Sequence, residues 1–218
     1  MTESFHLSSM ILSGGPTLVI LLIALLISAI IIIERSVYFN NRQIRPAELL
    51  LEAGGLLERN KSVELKERFR KDISPAGYVL LECLSSAEDH PGFQPEHFEE
   101  VKNRAIAEKI PEMERFLALL ATLGSVSPFI GLLGTVLGII RAFVSLDMGS
   151  AGAGGLNSGI AEALIATAAG LIVAIPSTIA YNLLKKKVEA SLLNIEVAAS
   201  RLKMLIVQNS TRGGSVTL

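Results

Sequence analysis

Three apolar runs dominate the chain, and each is longer than the core of an ordinary soluble domain requires. The first extends from Pro16 to Ile33 without a charged residue. At a rise of about 1.5 Å per residue it reaches roughly 27 Å, close to the hydrocarbon thickness of a bilayer. The second extends from Phe116 to Leu146 and is interrupted only by Arg141. The third extends from Ile160 to Leu184 and is interrupted only by Glu162. The last two exceed what a bilayer needs, so their ends should tilt or project. The pattern predicts an all-α membrane protein with three spans. No basic stretch precedes the first run, and Glu34-Arg35 follows where a leader would carry small residues. It is therefore read as a retained span.

Lysine and arginine set the orientation, because they collect on the cytoplasmic side. Residues 1–16 have none, the segment Arg35–Arg115 has thirteen, Asp147–Gly159 has none, and the stretch after Leu184 has six. Nineteen of the twenty basic residues thus fall on one side, Arg141 being the exception. The expected partition is an outer N-terminus (1–16), a first span (17–39) and a cytoplasmic helical domain (40–115). A second span (116–146), an outer loop (147–159) and a third span (160–184) follow. A cytoplasmic helix (185–209) and a disordered tail (210–218) complete it.

Inside the cytoplasmic segment, Pro46 opens a helix toward Leu57 that Gly54-Gly55 is expected to break. Further helices are expected over Ser62–Arg70, from Pro75 to about Ser86, and from about Glu96. A turn is expected at His90-Pro91-Gly92, and a kink at Pro111. Beyond the third run, Val188, Leu192, Ile195, Ala199, Leu202 and Ile206 recur four and three residues apart. That spacing makes a coiled-coil-like seam on a helix continuing from the span. It fits packing on the helices of the same chain, or on neighbouring copies.

Composition narrows the chemistry. A formal net charge of −1 gives no electrostatic footprint for nucleic acid. The one cysteine, Cys83, reads as a small packed residue, since no histidine or asparagine stands near in sequence to activate it. The three histidines are scattered, and no hydrolytic triad, phosphate loop or metal cluster is visible. The chain is not expected to be an enzyme or to carry a cofactor.

What remains is the polar content of the spans. In the second run Gly131, Gly134 and Gly138 lie at helical spacings and clear one face, with Thr135 on it. The Thr135 hydroxyl can bond its own backbone or face a polar lumen. In the third run Ala163, Ala166, Thr167, Gly170, Ala174 and Ser177 form a small-residue stripe, and Pro176 can bend the helix. Leu164, Leu171, Ile172, Ile175 and Ile179 lie opposite and suit lipid. Glu162 has two readings. As an intramembrane carboxylate it would face water or a partner and exchange protons; as a first-turn residue after Asn157-Ser158-Gly159 it would complement the helix dipole. Arg141 reads as a snorkelling side chain at the headgroup level. A single acidic group near one end suggests one half of an ion path.

Two of these stretches carry a resemblance. Gly131-Leu132-Leu133-Gly134-Thr135-Val136-Leu137-Gly138-Ile139, preceded by Pro128-Phe129-Ile130, is similar to the GLxGTVxGI signature of the ExbB/TolQ family. Gly159-Ile160-Ala161-Glu162-Ala163-Leu164-Ile165-Ala166-Thr167-Ala168-Ala169-Gly170-Leu171, followed by Ala174-Ile175-Pro176, resembles that family's GIAEALxATAxGL. The resemblance covers most of residues 17–190. It implies a homopentameric ring around a pore in the bacterial inner membrane, with the N-terminus periplasmic and the C-terminus cytoplasmic. It further implies an ExbD- or TolR-type single-span partner dimer, whose aspartate carries the ion, and a TonB- or TolA-type protein beyond it. Thr135, Glu162 and Thr167 map onto the family's pore-lining positions, the glycines and Pro176 onto its helix packing. The coupling ion would be the proton. The implied role is an ExbB-type energiser of outer-membrane transport, with a TolQ-type envelope role as the alternative. A passive oligomeric scaffold is the rival of a different kind. Arg141 stands where the family pattern sets no particular charge.

Overall fold

A computed structural model describes residues 15–41, 46–59, 61–89, 94–147 and 153–211. Every element among them is helical: α1 (Gly15–Asn41), α2 (Pro46–Glu58), α3 (Ser62–Lys71), α4 (Pro75–Asp89), α5 (Pro95–Met113), α6 (Leu117–Asp147) and α7 (Ala153–Thr211). The expected turn at His90-Pro91-Gly92, the N-terminal residues and residues 212–218 of the tail lie outside the described residues. Three of the helices, α1, α6 and α7, are long and apolar enough to cross a membrane. At 59 residues, α7 is roughly 89 Å long, far more than a bilayer needs.

The chain divides into two compact units, Met1–Ser36 with Phe116–Leu184, and Val37–Arg115 with Lys185–Leu218. In the first unit α1 packs through Leu21, Ala24 and Leu25 against Leu123 and Ile130 of α6 and Ala169 and Val173 of α7. The other sides of these helices are apolar and exposed, as at Ile23, Ile30, Phe129, Ile140, Leu164 and Ile172. Large apolar side chains on the outer faces are what a lipid-facing helix cluster requires. Three buried serine hydroxyls donate to carbonyls of their own helix: Ser28 to Leu25, Ser127 to Leu123, Ser177 to Val173. At the end of α1's apolar run, the buried Arg35 pairs with Glu34.

The second unit has a conventional core. Leu49, Leu50, Ala53 and Leu57 of α2 meet Leu65 and Phe69 of α3, Val79, Leu80 and Cys83 of α4, and Phe98 of α5. Ile195, Ala199, Leu202 and Ile206 of α7 complete it. The seam read from the sequence therefore packs on helices of its own chain from Ile195 to Ile206. Gly54-Gly55, expected to break α2, does not. Two glycines cost a helix about 1 kcal/mol each, and the burial of the four apolar α2 side chains outweighs that. Gly54 faces Leu205, and a Cβ there would lie in ordinary contact, 3.7 Å from Leu205 Cδ2.

The approach to α6 is not shaped by Pro111 alone. Pro111 lies inside α5, and the chain leaves the helical path at Phe116, whose φ of 63° is left-handed. Helices α3, α4 and α5 otherwise follow the expected segments to within a few residues.

Candidate functional site

The site is built on the contact between α6 and α7. These helices run antiparallel in a register that glycine fixes. A Cβ on Gly131 would lie 2.8 Å from Ala166 O, 3.1 Å from Thr167 Cα and 3.3 Å from Gly170 Cα. One on Gly170 would lie 2.7 Å from Ser127 O, and one on Gly138 2.9 Å from Ala163 Cβ. The same ladder continues to Gly159 against Ala142 and Gly124 against Thr178. Backbones in such contact exclude any side chain larger than hydrogen at these rungs. Ala163, Ala166, Ala174 and Ser177 are buried along the α7 stripe. Pro176 is exposed, one residue outside it.

Helix α1 closes one side of this pair. A Cβ on Gly134 would meet Ala166 Cβ at 2.6 Å and Thr17 Oγ1 at 3.0 Å. Thr17 is buried there. Sequence reading did not single out Thr17; its only signal was a hydroxyl at the head of an apolar run.

Each singled-out polar residue finds a partner on the pair. Thr135 donates to Leu132 O on its own helix at 2.6 Å and stays partly exposed. The hydroxyl oxygen keeps its capacity to accept. Thr167 instead crosses between helices and donates to Gly131 O at 3.2 Å. Glu162 accepts from Arg141 Nη2 at 3.1 Å. Arg141 also reaches Leu137 O through Nε at 3.3 Å. This ion pair joins two residues that sequence reading treated separately.

The start of α7 removes one alternative for Glu162. The helix begins at Ala153, so Asn157-Ser158-Gly159 are helical and cap nothing. Residues 153–159, expected as loop, belong to α7. Glu162 stands nine residues into the helix, and the terminal dipole acts over about one turn. Its charge is met by Arg141 rather than by the helix end.

The polar residues fall on two edges of the pair. Glu162 and Thr167 are five residues apart, roughly 140° around the helix at 100° per residue. Glu162 and Arg141 occupy one edge, Thr167 and Thr135 the other. Such an arrangement offers a fixed carboxylate with its counter-charge, and separately a row of hydroxyl oxygens able to accept from a hydrated cation.

The profile of the MotA/TolQ/ExbB proton channel family matches residues 70–197, which include all of α6 and the α7 stripe. The putative biopolymer transport protein ExbB-like 3 of Synechocystis sp. is 33% identical over 177 residues, 80% of this chain and 82% of that protein. The biopolymer transport protein ExbB of Aquifex aeolicus is 48% identical over 99 residues, 45% of this chain and 66% of that protein. The Tol-Pal system protein TolQ of Haemophilus influenzae is 49% identical over 89 residues, 40% of this chain and 39% of that protein. With three membrane-length helices, the two signature stretches packed on each other and the family profile spanning more than half its length, the chain belongs to the MotA/TolQ/ExbB proton channel family.

Proposed function

We propose that this chain is the ion-conducting, ring-forming subunit of an inner-membrane complex that converts proton-motive force into work on the cell envelope. Thr135, Glu162 and Thr167 border the ion path, and the small-residue face formed by Gly131, Gly134, Gly138 and Gly170 holds its wall rigid. The observation that carries the reading is that one close-packed helix pair holds both the Arg141–Glu162 ion pair and, on its other edge, the Thr135 and Thr167 hydroxyls. The uninterrupted apolar runs of the spans hold one acidic group, Glu162, so a second acidic site would come from a single-span partner of the ExbD or TolR type. Five copies of this chain would surround a dimer of that partner. The asymmetry of lysine and arginine supports a periplasmic N-terminus and a cytoplasmic C-terminus.

Between the two envelope roles, we favour coupling to TonB-dependent outer-membrane transport. A relative named ExbB-like aligns along 82% of its length, while ExbB of Salmonella typhimurium and TolQ of Pseudomonas aeruginosa align along similar shares of theirs, 44% and 45%. The TolQ matches, at 49% and 44% identity, keep a Tol-Pal role as the second reading.

The test is a strain lacking this gene, complemented with wild type, Glu162→Gln or Thr167→Val. Both variants should enter the membrane and yield the same complex by native mass spectrometry. Both should lose most outer-membrane uptake of iron chelates. Full activity in both variants would leave a passive scaffold as the better account. Intact uptake with defective envelope integrity would favour the Tol-Pal role.

A further inference from the structure

The pair Arg141–Glu162 has features that neither helix packing nor an ion path by itself demands. The 3.1 Å contact lies between two rungs of the α6–α7 ladder, Gly138 against Ala163 and Gly159 against Ala142. Close backbone packing on both sides holds the pair in register. Glu162 is about a quarter exposed (25%) and Arg141 about half (53%), so neither is sealed within its own chain.

No other charge faces the carboxylate among the described residues of the packed helices. α1 carries none from Gly15 to Ile33, and its Glu34 and Arg35 pair with each other. α6 carries none from Leu117 to Leu146 besides Arg141, and Asp147 stands six residues further on. α7 carries none from Ala153 to Leu184 besides Glu162 itself. The guanidinium keeps its charge at any working pH, so it cannot let go by losing a proton. It can let go by moving, because its long stem is free to swing toward headgroups or water once the bond to Leu137 O breaks.

We propose that Arg141 is a tethered counter-ion that competes with the transported cation for the Glu162 carboxylate. A carboxylate already neutralised by one cation in a low-dielectric setting gains little from a second. An arriving proton or metal cation therefore loads on Glu162 only as the guanidinium leaves. Between loadings, Arg141 keeps the carboxylate occupied and turned toward α6. Arg141 is thus a positioning residue that sets the cation activity at which the path fills. This inference rests on Glu162 belonging to the ion path.

The test is proton flux into dye-loaded vesicles containing the full chain with its single-span partner, driven by a potassium diffusion potential and recorded against external pH. Removing the competitor eases proton loading, so Arg141→Gln should move half-maximal flux to higher pH by about one unit, a tenfold lower proton activity. Arg141→Lys, which keeps the charge but not the planar fork, should move it the same way by less. A wild-type midpoint in correctly assembled Arg141→Gln overturns the proposal. Should that variant not assemble, Arg141→Lys decides: an upward shift supports competition, and an unchanged midpoint overturns it. Glu162→Gln is measured alongside. If it conducts like wild type, the ion-path role of Glu162 fails, which is a different result from an unmoved Arg141→Gln midpoint.

Discussion

The hydroxyl of Thr167 on α7 donates across the helix contact to the carbonyl oxygen of Gly131 on α6, 3.2 Å away. The bond exists because Gly131 has no side chain to hold the helices apart. An interhelical hydrogen bond within a membrane protein contributes about 0.6 kcal/mol on average and up to about 1.7. Thr167→Val keeps the shape and deletes the donor, so it should lower stability in detergent by an amount in that range. Thr167→Ser should lose less. Equal unfolding midpoints for Thr167→Val and wild type would show that the contact contributes nothing.

Two glycines should respond in opposite directions to the same methyl group. At Gly131 a Cβ meets Ala166 O at 2.8 Å and two α-carbons within 3.3 Å, all backbone that cannot rotate away. Gly131→Ala should force α6 and α7 apart, lowering thermal stability and membrane-complex yield together. At Gly55 a Cβ meets nothing within 4 Å. Gly55→Ala should stabilise by up to about 1 kcal/mol through helix propensity. Thermal melts of the two variants, run in parallel, test both claims.

Acid should loosen the second unit through Glu99. Its hydrogen bonds to Lys102 on α5 and Lys203 on α7, the latter at 2.8 Å, hold its carboxyl below the usual carboxylate range. A depressed carboxylate contributes stability that is complete above its unfolded pKa and is lost as pH falls through the folded one. The effect is small, because the side chain is over a third exposed and solvent screens it. Glu99→Gln should flatten the acid limb of the stability profile while leaving stability near neutrality only slightly reduced. An acid limb identical to wild type would rule out this contribution.

Cys83 should be chemically silent in the folded protein. It is buried in the α4 core, and burial pushes its thiol up to about 12. The thiolate is the reactive form, so alkylating reagents at neutral pH should label it only after denaturation. Cys83→Ala should cost little and provide a cysteine-free background for accessibility scans of α6 and α7. Rapid labelling of the native protein would contradict the burial.

Much of this molecule is local and therefore readable along the chain. Apolar run length determined three membrane-length helices, because a helix satisfies its own backbone wherever it lies. Spacing determined which side of α7 is small and buried, Ala163 to Ser177, and which is large and exposed, Leu164 to Ile179. It also determined the seam from Ile195 to Ile206, though not whose helices would cover it. Tertiary structure decided what depends on register between distant segments. Arg141 and Glu162 stand 21 residues apart, and only the glycine ladder of α6 against α7 brings them together. The same register sends Thr167 to Gly131 and Thr17 to Gly134. It is tertiary burial, too, that carries α2 through Gly54-Gly55, where local propensity argued for a break. Periodicity records which face of a helix is buried; pairwise contacts arise only once two faces have been slid and rotated into one packing arrangement, and no single segment contains that information.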